Sequence, residues 1–224
     1  MKKYISLFII SIICVGFAGC EYDNFDEPTS ILTGKIEYNG KPVGVRTNGP
    51  QIELWQDGYE LKKNIPVYIA HDGTYSVSLF NGQYKMVRKA GAPWEPQLSD
   101  TIVIDVKGRT EYNVPVTPYF VIENESFQKS GNTLTAKFVI NKNVSSADLA
   151  EVKLYVGQAI LTDQNKKEHE KSLDVSTVII GQEATISTTL PDNLANMDYI
   201  FVRVGVRANV TSEFYYTQVQ KVNK

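Results

Sequence analysis

The sequence predicts an all-β protein of two antiparallel β-sandwich domains in tandem, placed behind a cleaved signal segment. Short segments that alternate apolar and polar residues recur through residues 31–224, and in the first half Asn-Gly and Asp-Gly pairs separate them. Pro115 and Pro118 interrupt this pattern near its middle, which places a domain boundary close to residue 118. The first 20 residues differ in kind, since they hold both cysteines and a nearly unbroken apolar run.

The amino-terminal segment is typical of a secretory signal peptide. Two lysines give it a positive start, an apolar run follows from Ile5 to Phe17, and the small residues Ala18 and Gly19 end it. The run is shorter than the roughly 20 residues of a helix that crosses a bilayer. We therefore expect cleavage to remove residues 1–19. Ordinary secretion with a free Cys20 and a short signal anchor are the alternatives.

The end of this segment resembles a bacterial lipobox, in which a cysteine follows the cleavage site and receives acyl chains. Cys20 holds that position, although Phe17 stands where the family usually has leucine. The resemblance implies a lipoprotein anchored in the outer membrane, exposed at the cell surface, with residues 20–30 as lipidated cysteine and flexible tether. The acidic tether loosely resembles a surface-export signal of Bacteroidetes lipoproteins, and a disordered leader explains it equally well.

Composition and motifs exclude several functional classes. The formal net charge is −2 and no basic cluster is present, so the sequence does not predict nucleic-acid binding. No cysteine follows Cys20, so neither a disulfide nor a thiolate metal site is expected in the domains. His71 and His169 lack zinc-motif spacing, and neither a P-loop nor a G-x-S-x-G elbow occurs. We expect no metal, no cofactor and no enzyme activity. A hydrolase would require a cleft with paired carboxylates.

The first predicted domain covers residues 31–117. Its strands are bounded by turn pairs and place apolar residues on one face, as Tyr75, Val77 and Leu79 illustrate. The predicted strands are 31–36, 51–56, 64–70, 75–79, 83–89, 101–106 and 112–116.

Several motifs in this domain together carry a resemblance to a known family. They are Gly34–Pro42, Ile52–Leu54, Asp72–Ser76 and Gly82–Tyr84. In order and spacing they resemble the carboxypeptidase-regulatory-like, transthyretin-like family. Because these residues are turn glycines and inward aromatics, the resemblance implies a β-sandwich fold and no catalysis. Members of that family serve mostly as stabilising, docking or spacer modules.

The lipobox, the segment Leu54–Tyr59 and a second β domain extend the resemblance. Together they are similar to a family of two-domain lipoproteins from polysaccharide-utilisation loci of Bacteroidetes. That resemblance implies three kinds of partner: the membrane through the lipid anchor, a polysaccharide, and the neighbouring outer-membrane porin with its glycan-binding lipoprotein.

The second predicted domain covers residues 118–224. Its predicted strands are 134–140, 152–156, 172–180, 184–190, 200–207 and 214–222, with one helical turn at 146–151 and an exposed loop or strand edge at 162–171. The last strands resemble strands E, F and G of an immunoglobulin or fibronectin type III sandwich, with Tyr199 in the place of the tyrosine corner. Arg203 and Arg207 share a strand face, where an outer salt-bridged surface is expected.

Aromatic residues provide the best functional indication. Sugars present flat C–H faces to Trp and Tyr, while their hydroxyls bond planar polar groups. Trp55, Asp57, Tyr59, Trp94 and Glu95 are therefore the candidate carbohydrate-binding residues. The alternative is that Trp55 covers the sandwich edge and Trp94 packs into the domain junction, because large aromatics are more often packed than exposed.

Two functions follow from these observations. The first is a non-catalytic cell-surface lipoprotein that binds glycan as an accessory component of a polysaccharide uptake system. The second is a structural spacer or protein-docking subunit without a sugar site. Exposed aromatics ringed by polar groups would favour the first function, and burial of both tryptophans would favour the second.

Overall fold

The computed structural model describes residues 26–58, 63–97 and 100–224, which form seventeen β-strands and one four-residue α-helix. The all-β prediction is confirmed. Cys20 and the predicted signal peptide lie outside the described residues. Among the residues that are described, no helix combines the length and the apolar character needed to cross a bilayer.

Nine strands precede residue 118 and form two sheets. They are β1 Ser30–Tyr38, β2 Lys41–Pro42, β3 Gln51–Trp55, β4 Ile65–Tyr68, β5 Thr74–Leu79, β6 Gly82–Arg88, β7 Ile102–Val106, β8 Arg109–Glu111 and β9 Val114–Pro115. Strand β1 pairs with β2, β5, β8 and β9, and the other sheet has the order β4-β3-β6-β7. The two sheets enclose one apolar core.

Turn chemistry fixes the local register of these sheets. Asn39 and Gly40 both have positive φ, 50° and 77°, as the tight β1-β2 hairpin requires. One ladder was not predicted: β1 pairs in parallel with β8 and β9, with Ile31 opposite Arg109. Parallel neighbours are joined by crossover connections rather than hairpins, so no local turn motif in the sequence predicts their pairing.

Eight strands follow residue 118 and also form two sheets. They are β10 Phe120–Ser130, β11 Thr133–Lys142, β12 Leu149–Gly157, β13 His169–Leu173, β14 Glu183–Thr189, β15 Tyr199–Ala208, β16 Tyr215–Tyr216 and β17 Gln220–Asn223. One sheet has the order β10-β11-β14, and the other has the order β13-β12-β15 with β16 and β17 both paired to β15. A second apolar core lies between them, and it includes Leu134, Phe138, Leu154 and Val204.

Two predictions for this region were wrong in detail, and strand β10 and one short helix were not predicted. The segment 146–151 contains no helical turn, because Ala147 is buried in a tight turn and β12 begins at Leu149. The predicted strand 172–180 ends at Leu173, where Asp174 caps a 3₁₀ turn at Val175–Thr177. A short helix, α1 Asp192–Ala195, was not predicted, and it buries Leu194.

Tyr199 also differs from its expected role. Its side chain is 38% exposed, and the Lys221 ammonium lies 3.8 Å from its ring centroid. The ring therefore lies on the outside of β15, beside Phe201. A tyrosine corner needs a ring that packs inward so that its hydroxyl reaches the backbone, and this ring does not.

Candidate functional site

The two halves of the chain meet through a buried arginine. Arg203 on β15 is 0% exposed, and its guanidinium donates hydrogen bonds to the carbonyl oxygens of Val45, at 3.1 Å, and His71, at 3.5 Å. It also stacks on Tyr216, with 4.1 Å from the guanidinium carbon to the ring centroid. Burial lowers the pKa of Arg203 to about 10, so the group remains charged at neutral pH. The expected outer salt-bridged face is therefore wrong for Arg203, because the first domain covers it.

Backbone contacts close the same junction. The Tyr216 amide donates to the Gly44 carbonyl at 3.0 Å, and a Cβ on Gly44 would lie 2.5 Å from the Tyr216 carbonyl oxygen. Arg46 and Glu213 form a two-pronged ion pair across the junction, with N–O distances of 2.8 and 2.6 Å. Its hydrogen bond to Glu213 raises the pKa of Arg46. The domains are thus held by close, directional contacts.

Trp94 and Glu95 lie where the junction meets the connecting segment. Trp94 is 2% exposed, belongs to the first core and forms an isolated β-bridge with Pro118. The Glu95 amide donates to the Thr117 carbonyl at 2.9 Å, while the Glu95 side chain is exposed. Because the core encloses the indole of Trp94, neither face of that ring is available to stack on a sugar. Its position fits the alternative, in which Trp94 packs into the domain junction.

Trp55 and Asp57 lie on a different surface, the outer face of the β4-β3-β6-β7 sheet. Trp55 is half-buried and stands opposite Lys85, whose ammonium pairs with the Asp57 carboxylate at 2.6 Å. Tyr59 lies outside the described residues. Tyr68, on the same face, is 51% exposed and was not among the predicted site residues. Of the predicted residues that the structure describes, Trp55 and Asp57 thus lie at this face, whereas Trp94 and Glu95 lie at the junction.

The candidate site is a groove between the domains, which we call the junction groove. It has a volume of about 490 Å³ and is lined by the hairpin after β1, the start of β10 and the β16 region. Its lining groups include Tyr38, Asn39, Glu123, Asn124, Glu125, Tyr215 and Gln218. Grooves of this size between domains are typical ligand sites.

The groove combines aromatic rings with planar hydrogen-bonding groups. Tyr215 packs against both apolar cores, and burial raises the pKa of its hydroxyl to about 12, with Glu125 and Glu123 adding to the effect. Asn124 has φ of 56°, within the bulge that displaces β10 against β11. Glu123 and Glu125 flank this left-handed residue, and both residues line the groove.

None of the residues that line the junction groove was among the predicted site residues. Tyr38 and Tyr215 are far apart in the chain, and the junction alone brings them together. One available signal was the Asn39-Gly40 turn, which fixes where the first hairpin ends. Within the described part of the chain, no group of three His, Cys, Asp or Glu side chains could hold a metal ion.

Comparisons with known proteins follow the two halves of the chain. Residues 30–117 match the family described as the N-terminal domain of a protein of unknown function, DUF3823. Residues 120–221 match the domain of unknown function DUF3823_C. No curated protein matches the sequence.

Solved structures match over both domains. A DUF3823 protein from Bacteroides ovatus is 49% identical with a TM-score of 0.82, and the match covers 88% of this chain and 99% of that one. A DUF3823 protein from Parabacteroides merdae is 32% identical with a TM-score of 0.81, covering 88% and 100%. A Bacteroides uniformis protein, described as a candidate carbohydrate-binding protein, is 22% identical with a TM-score of 0.73, covering 88% and 100%, and shares the fold.

Proposed function

The chain belongs to the DUF3823 family and carries its N-terminal and C-terminal domains in order. From this premise we propose that the protein is a non-catalytic glycan-binding subunit, and that the junction groove holds the sugar. The groove carries the proposal because it joins tyrosine rings, carboxylates and amides in one concave surface of about 490 Å³. Sugar hydroxyls need those acceptors and donors, and their C–H faces need the rings.

Rigidity of the groove supports binding of a polar ligand. Tyr215 packs against both cores, and Gln218 donates to the backbone carbonyls of Pro42, at 3.4 Å, and Asp72, at 3.2 Å. Tyr38 donates to the Asn143 side chain at 3.2 Å. Because these contacts are already made, little conformational entropy is lost when a ligand arrives.

The setting of the protein forms part of the proposal. The signal-like segment that ends in Cys20 supports a lipid anchor in the outer membrane, with the domains at the cell surface. We also propose a carboxypeptidase-regulatory-like first domain and an immunoglobulin-like or fibronectin-like second domain, a proposal that the sheet orders support. An outer-membrane porin and a glycan-binding lipoprotein are the proposed partners. The description of the Bacteroides uniformis relative is consistent with sugar binding.

A docking or spacer subunit is the second candidate, and a different surface favours it. The outer face of the β4-β3-β6-β7 sheet exposes Tyr68 and Val103, the latter by 52%, near the half-buried Trp55. Burial of Trp94 also removes one proposed sugar contact. If this function applies, the porin should co-purify with the protein from membranes. Val103→Lys should then abolish co-purification without changing the result of a glycan-binding assay.

A glycan-array screen tests the first function, with the full chain solubilised in detergent. For the glycan that binds, Glu125→Gln and Tyr215→Phe should each weaken affinity about tenfold, because the first replaces a charged acceptor with a neutral amide and the second removes a hydroxyl, while side-chain shape is kept. Glu183→Gln is the matched control, since Glu183 is an exposed carboxylate on β14 that pairs with Lys137. Absence of binding to every glycan, or unchanged affinity in both groove variants, would reject the proposal.

A further inference from the structure

A second depression lies on the outer face of the β13-β12-β15 sheet, and we call it the cationic bowl. It has a volume of about 390 Å³. Its floor is formed by Tyr155 and Phe214, whose rings meet edge to face at 6.0 Å. Its charged rim consists of Glu151, Lys153, Lys167, Glu170 and Arg207. Because both floor rings are almost fully buried, the rim charges stand over an apolar base.

The charges of the rim do not cancel. Glu151 accepts from Arg207 Nε, at 2.8 Å, and from the Lys153 ammonium, at 2.8 Å, so two cations share one carboxylate. Lys153 first and then Arg207 hold the pKa of Glu151 below its usual range. Lys167 pairs with Glu170 at 3.3 Å. Three cations therefore face two carboxylates, which leaves an excess of one positive charge at the bowl.

One wall of the bowl is a loop that is already ordered by hydrogen bonds. The sequence predicted an exposed loop or edge here, but Thr162 and Asp163 are buried. The Asp163 carboxylate accepts from the backbone amides of Asn165, at 2.7 Å, and of Thr47 in the first domain, at 3.2 Å. Gln164 lines the bowl, and its backbone amide donates to the Tyr216 hydroxyl at 3.3 Å. Docking of the two domains thus sets the position of this wall.

We propose that the cationic bowl binds the anionic group of an acidic sugar, a carboxylate or a sulfate ester. The inference rests on the proposed glycan-binding function and names the class of glycan. An oxyanion between the Lys153 and Lys167 ammonium groups would take the excess positive charge. Gln164 and Ser212, which also line the bowl, offer an amide and a hydroxyl to the hydroxyl groups of the sugar. Buried aromatic rings beneath the cations reduce solvent screening of the contact.

Calorimetric titration of the full chain in detergent tests this inference. The ligands are a uronic-acid oligosaccharide, a sulfated oligosaccharide and a neutral oligosaccharide of equal length. We expect at least one acidic ligand to bind about tenfold more tightly than the neutral one, and its affinity to fall as salt is added. Lys153→Met and Lys167→Met should each remove most of that advantage. Lys137→Met, on β11, is the matched control because Lys137 forms an exposed ion pair with Glu183.

The outcomes separate this inference from the function on which it rests. Equal affinity for acidic and neutral ligands, or an acidic preference that survives both lysine variants, would overturn the cationic bowl. If acidic and neutral ligands bind with equal affinity and Glu125→Gln weakens both, the glycan-binding function stands while the bowl fails. If none of the ligands and no glycan on the array binds, both proposals fail. Thermal melting of each variant is the control for folding, and both lysine variants should melt at the wild-type temperature.

Discussion

Arg203 and Arg207 lie four residues apart on the same face of β15, yet they have opposite environments. Arg203 is fully buried beneath the first domain and bonds two backbone carbonyls. Arg207 is half-buried and pairs with the Glu151 carboxylate. Alternation places both side chains on the outer face of the sheet, so the strand pattern does not distinguish them.

The difference shows how domain docking changes the chemistry of a sheet surface. At Arg203, the first domain covers the outer face of the sheet. The guanidinium reaches across the domain interface and donates hydrogen bonds to carbonyl oxygens of the first domain. At Arg207, the same face stays open, and ion pairs form the rim of the cationic bowl. The end of β15 at Arg203, the closed end, therefore stabilises the contact between the domains. The end at Arg207, the open end, presents charged side chains to solvent. Four variants test this division, beginning with the one expected to have the largest effect.

Arg203→Ala should lower the free energy of unfolding by about 3 kcal/mol. The change leaves a cavity, removes stacking on Tyr216 and leaves the Val45 carbonyl without its guanidinium donor. Urea denaturation monitored by circular dichroism measures the effect. A loss below about 1 kcal/mol would mean that the closed end contributes no more cohesion than an exposed pair.

Gly44→Ala should cost about 2 kcal/mol, because the new Cβ would meet the Tyr216 carbonyl oxygen at 2.5 Å and backbone must move. Gly131→Ala is the comparison variant. It has open space around the new Cβ and a φ of 56°, so only the left-handed conformation opposes it, at about 1 kcal/mol. Equal losses in the two variants would contradict tight docking at Gly44.

Arg207→Met should lower the free energy of unfolding by less than about 1 kcal/mol, since a half-exposed ion pair contributes little in water. The Lys153 ammonium continues to neutralise Glu151 in this variant. Denaturation under the conditions used for Arg203→Ala allows the losses in free energy of unfolding at the two ends of β15 to be compared directly. A loss as large as that of Arg203→Ala would remove the distinction between them.

Glu151→Gln should change the acid side of the stability profile by the smallest amount. Lys153 and Arg207 lower the pKa of Glu151 in the folded state, so the unfolded chain takes up a proton first, near pH 4.3. The carboxylate therefore stabilises the fold above that pH, and its contribution is lost as the pH falls through the folded pKa. Denaturation at pH 7, 5, 4 and 3 should give a shallower decline for the variant than for the wild type. An identical decline would indicate that the pair does not affect folding.

Local patterns predicted most of the strands and turns of both domains, but not strand β10 or the short helix α1. Asn39-Gly40 predicted the first hairpin because few residue pairs accept two positive φ angles. Inward alternation at Tyr75 and Leu79 identified core residues, which the structure confirms as buried. The predictions of a helical turn at 146–151 and of an exposed face at Trp94 failed, because both depend on contacts with residues distant in the chain, which local patterns do not include.

The sequence by itself determined the strand faces, the turns and the all-β class, because each depends on residues a few positions apart. Only the tertiary structure decided which surface became the junction, since burial of Arg203 depends on carbonyls more than 130 residues earlier. The junction groove depends on the same long-range docking, because its lining residues come from both domains. The cationic bowl is lined by residues of the second domain alone, and docking contributes only to the position of its loop wall.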